Sequence, residues 1–209
     1  MFYLPVNKML TLIWCHGGCF SGGNASYDLE LRDYLANHGV KVISVEFNKS
    51  GWEEALIDII QTAVLCGSDT YIFGGVSSGG MLAHQAANIL HKPAFLLCPV
   101  LKPAERYTSL EENFKTMQLN FFHSVDNMRK CERNVKEPNN ARQVIFGSSD
   151  SRAPIQAITS WLDGPHHLGI HTLPGGHELC KNPPLQLCLQ CVQTLGEIVH
   201  DDNTRVQLP

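Results

Sequence analysis

The chain has no run of lysines and arginines, and its formal charge of −4 leaves no basic excess to neutralise phosphates. That balance argues against a nucleic-acid partner. No apolar stretch approaches the ~18 residues needed to cross a bilayer, so no membrane span is expected. There is no internal repeat, no zinc-finger spacing, no G-x-G-x-x-G, and no lysine where a phosphate-binding P-loop would carry one. The N-terminal residues also lack a basic region of the signal-peptide kind. The apolar run from Met9 to Cys15 ends in HGG rather than a small-residue cleavage site. It reads as a buried strand, and a cytoplasmic setting is the default expectation.

Cysteine is not scarce, but its pattern excludes more than it suggests. Cys15, Cys19, Cys66, Cys98, Cys131, Cys180, Cys188 and Cys191 form no dense disulfide framework. Cys188 and Cys191 make a CxxC, yet they fall in a stretch with helical spacing of apolar residues. No second CxxC completes a four-ligand set. They read as thiols one turn apart on a helix, with no metal and no organic cofactor expected.

What remains is an ordinary globular composition. The chain has 209 residues, 44% of them hydrophobic and 17% charged, which suits one well-packed domain acting on a small molecule. Short apolar runs alternate with amphipathic stretches. Strands are expected at 8–15, 41–47, 69–75, 93–100, 142–148 and 167–173. Helices are expected at 24–39, 51–67, 79–91, 153–164 and 183–200. Such alternation specifies a three-layer α/β fold, a mostly parallel sheet of about six strands with helices on both faces.

Residues 101–140 break the alternation and are too long for a plain loop. Leu110, Phe114 and Met117 stand at i, i+4 and i+7, which predicts one helix followed by Phe121 and Phe122. This segment is expected to form an extra helix covering the sheet or a small cap or pocket wall, within a single domain spanning 1–209.

The chemistry centres on "FGGVSSGG". Gly75-Val76-Ser77-Ser78-Gly79 fits G-x-S-x-G, with a strand before it and a helix after it. Side chains two positions either side of the nucleophile would strike neighbouring backbone in so sharp a turn. Ser78 fails that test because Val76 occupies its upstream position, so Ser77 is the candidate nucleophile. A serine hydroxyl needs a base, and the base needs an orienting acid. Asp150 follows the strand at 142–148 and His177 follows the strand at 167–173, both where ligands gather in open sheets. The order Ser, Asp, His is the one this architecture uses. His166, His167, His171, Asp163 and Glu178 are the rivals, each before, within or too close to the required position. "WCHGGCF" (14–20) follows the first strand and offers consecutive unobstructed N–H groups for a developing oxyanion.

"HGGC" (16–19) and "GVSSGG" (75–80) resemble the HGGG and GDSAGG motifs of the α/β-hydrolase superfamily, in the esterase and lipase branch related to hormone-sensitive lipase. The resemblance runs from about residue 9 to 200 and implies strands three to eight of the family's sheet, without its first two strands and N-terminal cap helices. Carried over by position, it implies Ser77 as nucleophile, Asp150 as acid and His177 as base. Gly18, Cys19 and Ser78 would supply oxyanion N–H groups, with His16 bracing the loop. Phe20, Phe114 and Met117 are the candidate substrate contacts. Cys19 and Val76 depart from the family pattern, and the short segment between Ser77 and Asp150 implies a small cap. A serine hydrolase acting on a small acyl ester is the expected activity. An arylformamidase-like amide hydrolase and a non-catalytic ligand receptor or scaffold are the alternatives.

Overall fold

Strands that are apolar at nearly every position need cover on both faces, and the intervening helices supply it. The computed structural model describes residues 9–18, 28–46, 51–163 and 167–205. Its strands are β1 (Thr11–Cys15), β2 (Lys41–Ser44), β3 (Tyr71–Val76), β4 (Ala94–Leu97), β5 (Arg142–Gly147) and β6 (Leu168–Leu173). They form a six-stranded sheet in the order β2-β1-β3-β4-β5-β6, parallel at every pairing. Each expected strand is present, trimmed at its ends. The expected strand at 41–47 stops at Ser44, and residue 47 lies outside the described residues.

The period-2 alternation of a strand sorts its side chains between two cores. Leu12, Trp14, Ile72, Phe95, Leu97 and Ile145 face one side. There α1 (Leu29–Asn37) contributes Leu31 and Leu35, and α7 (Leu185–Arg205) contributes Cys188, Val192, Leu195 and Val199. Ile13, Cys15, Phe73, Leu96, Val144 and Phe146 face the other side, under α2 (Trp52–Leu65) and α3 (Ser78–Ile89). Each fully buried Leu, Ile or Phe contributes about 1.5–3 kcal/mol, so the two faces together dominate stability. The CxxC thiols belong to the buried stripe of α7. Among the described residues, no helix is long and apolar enough to cross a membrane.

Residues 101–140 hold three short helices where the spacing predicts one: α4 (Pro103–Tyr107), α5 (Glu112–Phe122) and α6 (Val125–Arg133). The reason lies in Phe121 and Phe122, which are buried in the core against the sheet with Met128 and Cys131 of α6. To bury both ends the chain must turn, and it does so at His123, in the left-handed region at φ 66°. Ser124 then caps α6 by accepting a 3.1 Å bond from the Asn127 N–H. The Glu132 carboxylate accepts from the Ala104 N–H at 3.0 Å, tying α6 to α4. Leu110 lies just before α5 rather than on it.

The helix expected at 153–164 is a 3-10 helix over Ile155–Asp163, broken at Ile158. Beneath it sits a buried polar peg. The Arg142 guanidinium donates to the carbonyls of Lys92, Asn140 and Ala141, to Asn88 Oδ1 and to His84 Nδ1. The His84 ring stacks on Trp161 at 4.4 Å and donates from Nε2 to the Lys136 carbonyl at 2.7 Å. Burial, with the Arg142 charge beside it, pulls the imidazole down to about 3, so it is neutral at ordinary pH.

Candidate active site

The chain passes from β1 to β2 on one side, then returns to β3 on the other. The strand order therefore reverses between β1 and β3, and a crevice opens at their carboxyl ends. His16, Gly17 and Gly18 follow β1 into that crevice, and Ser77 follows β3.

No loop separates β3 from α3, so Ser77 alone absorbs the change of direction, at φ 56° and ψ −123°. A non-glycine residue held at positive φ costs on the order of 1–3 kcal/mol. The main chain on both sides holds it there. Its N–H donates to the Leu97 carbonyl at 3.0 Å, and its own carbonyl accepts from Gly80 and Val100 at 3.1 and 3.0 Å. The flanking glycines are required by contact. A Cβ on Gly75 would stand 2.4 Å from the Gly79 carbonyl oxygen, and one on Gly79 would stand 2.2 Å from that of His16. Glycine at 79 thus lets α3 start against the end of β1.

A second close approach brings the acid and the imidazole together. A Cβ on Gly147 would meet the carbonyl oxygens of Gly175 and Gly176 at 2.6 and 2.7 Å, so glycine lets the loop after β6 lie on the end of β5. Ser148 and Ser149 donate across this contact to Leu173 and Gly175. Glu178 pins the same loop by accepting from the Gly176 N–H at 2.6 Å, and that bond holds its carboxyl below the ordinary range.

The result is a continuous relay. Ser77 Oγ lies 2.9 Å from His177 Nε2, and His177 Nδ1 lies 2.8 Å from Asp150 Oδ2. The other carboxylate oxygen of Asp150 accepts from the N–H groups of Arg152 and Ala153 at 2.8 and 3.0 Å. Burial by itself would push the Asp150 carboxyl up. The hydrogen bond and charge of His177, with the two backbone donors, hold it below its ordinary value. A charged carboxylate keeps the proton on Nδ1, which leaves Nε2 as an acceptor for the serine hydroxyl.

Two of the rivals fall elsewhere, and His166 lies outside the described residues. His171 is within β6 and pairs with Gln143 Oε1 at 3.1 Å, while Asp163 ends the 3-10 helix. Of the HGG loop, His16 is fully buried, with Nδ1 and the Gly17 carbonyl 2.8 Å apart. Burial lowers its imidazole, in keeping with a bracing role rather than proton transfer. Cys19 and Phe20 lie outside the described residues.

A cavity of about 790 Å³ opens over the relay. Gly18, Ser77, Ser78, Asp150 and His177 line its floor, and Leu110, Phe114, Met117 and Gln118 wall one side. The exposed apolar faces of Phe114 and Met117 therefore serve the cavity, while Phe121 and Phe122 on the same helix serve the core. Arg106, Arg152, Glu178, Cys180 and Lys181 also line it, and sequence reasoning did not assign them a place there. For Arg152 and Lys181 the available signal was nearness in sequence to Asp150 and His177. Cys180 Sγ lies 3.7 Å from His177 Nε2. A hydrogen bond with Cys98, and burial, push its thiol far up, so it stays protonated. Among the described residues, no group of three or more His, Cys, Asp or Glu is arranged to hold a metal.

No family model matches the sequence, and no curated protein does. Solved structures do match. An esterase of the hyperthermophilic archaeon Pyrobaculum calidifontis is 15% identical and superposes with a TM-score of 0.71, over 94% of this chain and 78% of that one. Mouse α/β hydrolase domain-containing protein 10 is 14% identical with a TM-score of 0.69, over 90% of both chains. Carboxyl esterase 2 of the mycorrhizal fungus Tuber melanosporum is 14% identical with a TM-score of 0.68, over 94% of this chain and 81% of that one. Identities this low carry the architecture alone, and they carry it clearly: the chain has the α/β-hydrolase fold.

Proposed function

We propose that the protein is a carboxylesterase-like serine hydrolase that cleaves a small acyl ester through an acyl-enzyme intermediate. The observation that carries this reading is the unbroken relay from Ser77 Oγ through His177 to Asp150, set on the floor of one cavity. His177 Nε2 takes the hydroxyl proton as Ser77 attacks the ester carbonyl, and Asp150 stabilises the imidazolium that forms. The tetrahedral oxyanion rests on backbone N–H groups of Gly18, Cys19 and Ser78, each worth about 3 kcal/mol of barrier in sites of this kind. His177 then gives its proton to the leaving alcohol. Water repeats the sequence and releases the acid, and neither metal nor organic cofactor takes part. Phe20, Phe114 and Met117 contact the acyl or alcohol group.

The superposing archaeal and fungal proteins are named as esterases, which favours an ester over an amide. We place the reaction in the cytoplasm, a compartment that keeps thiols reduced. The test is covalent labelling of the folded protein by a fluorophosphonate. Label that is lost in Ser77→Ala and kept in Ser78→Ala supports the proposal. Absence of label in folded protein overturns it in favour of a non-catalytic receptor. A panel of esters, thioesters and N-formyl amides then fixes the leaving group.

A further inference from the structure

The cavity over Ser77 differs in charge from the molecule around it. The chain carries a formal charge of −4, yet cations from three separate elements converge on this cavity. Arg106 comes from α4, Arg152 from the turn after Asp150, and Lys181 from the segment after His177. Arg106 and Arg152 also both line an adjoining recess of about 120 Å³. Arg106 is close enough for its charge to bear on the Cys180 thiol, which itself touches His177.

The carboxylates nearby are held in place by other groups, and Asp150 and Glu178 keep their charge. Asp150 is held by His177 and two N–H groups, and Glu178 by the Gly176 N–H. Glu105, which lines the recess, pairs with Lys102 at 2.9 Å. Among the described residues, neither Arg152 nor Lys181 has an ion-pair partner. Arg106, Arg152 and Lys181 outnumber the Asp150 and Glu178 carboxylates of the same cavity, and the excess positive charge favours an anion there. Arginine forks in particular match the two oxygens of a carboxylate.

We infer that the substrate of this site is an anion: an acyl ester that carries a free carboxylate, seated on Arg152, Lys181 and Arg106 while its ester carbonyl meets Ser77. The inference rests on the hydrolase reading above and adds the substrate class to it. The apolar wall of Leu110, Phe114 and Met117 suits the hydrocarbon between the two ends.

The test compares kcat/KM for para-nitrophenyl monoesters of straight-chain dicarboxylic acids with neutral para-nitrophenyl esters of matched length. A second arm moves the carboxylate to the alcohol part, using acyl esters of hydroxybenzoate against the corresponding phenyl esters. In one arm the anionic ester is expected to be favoured by about tenfold at low salt, the scale of one charge-assisted hydrogen bond. The preference shrinks as salt rises. Arg152→Gln should bring the ratio of anionic to neutral kcat/KM close to one, and Arg152→Glu should invert it. Lys181→Gln, at an exposed position, gives the same reading should changes at Arg152 disturb the turn that holds Asp150. Neutral and charged esters turned over alike in both arms, or a preference that no substitution moves, would overturn this inference and leave the hydrolase reading standing. No turnover of any ester, with no fluorophosphonate label, removes both.

Discussion

Asp150→Asn separates orientation from mere contact in the relay. The side chain is fully buried, and one of its oxygens is fixed by the N–H groups of Arg152 and Ala153. Asparagine fits the same space, and those two donors demand that its amide oxygen take that position. The amide NH₂ must then point at His177 Nδ1, 2.8 Å from the oxygen it replaces. Facing a donor, Nδ1 becomes an acceptor, and the imidazole proton moves to Nε2, which faces Ser77 Oγ. The base has become a donor toward the hydroxyl it should deprotonate. The expected loss is about 10⁴ in kcat, equivalent to roughly 5.5 kcal/mol of barrier. The assay is steady-state hydrolysis of an activated ester, normalised to folded protein by circular dichroism. A variant that keeps more than about one-tenth of the parent kcat would refute the tautomer argument. The substitution has a second signature. The folded Asp150 carboxyl is lower than in the unfolded chain, so its stabilisation is complete above the ordinary carboxylate range and lost as pH falls through the lower folded value. Chemical denaturation against pH should show that loss in the parent and not in the variant.

Gly79→Ala should destabilise by about 3 kcal/mol or prevent folding, because its Cβ would overlap the His16 and Cys15 carbonyl oxygens. Gly39→Ala, at φ 84° with no atom within 4 Å, should cost only about 1 kcal/mol. Equal melting temperatures for the two variants would contradict the close approach of α3 to β1. His84 supplies a pH prediction with the sign set by burial. The folded imidazole is pulled down from 6.5 to about 3, so the unfolded chain takes up the proton first. Stability should therefore fall, by up to about 1.4 kcal/mol per pH unit, as pH is lowered from 6.5 toward 3. In His84→Gln that slope should be visibly shallower by denaturant titration, and an unchanged slope would show that His84 is not the titrating group.

The sheet was legible because covered strands are continuous apolar runs, as in "PAFLLCPV", and the helices between them carry their own period. The elbow was legible because steric demand there is local: two glycines, a serine and a strand-to-helix switch are adjacent in the chain. The three helices of 101–140 were not, since only Met128 and Cys131 on α6 are buried and, Val125 aside, the rest of that helix is polar. The 3-10 helix did leave a trace that a helical reading passes over. Ile155, Ile158 and Trp161 repeat every three residues, the period of that tighter helix. The cations of the cavity have no periodicity at all. Arg106, Arg152 and Lys181 line one cavity only because α4 and the segments after Asp150 and His177 gather at the carboxyl end of the sheet.

The relay is shared unequally between the middle of the sheet and its margin. Ser77 hangs from β3, bonded on both sides and buried along its length, whereas His177 hangs from β6, an edge strand half open to solvent. Edge elements open with less free energy than the global unfolding event. A brief detachment of β6 would carry the imidazole away while the strained serine stayed in place, folded and inert. Any activity of the relay would therefore depend on an edge strand, and its loss on warming should run ahead of the collapse of the cores.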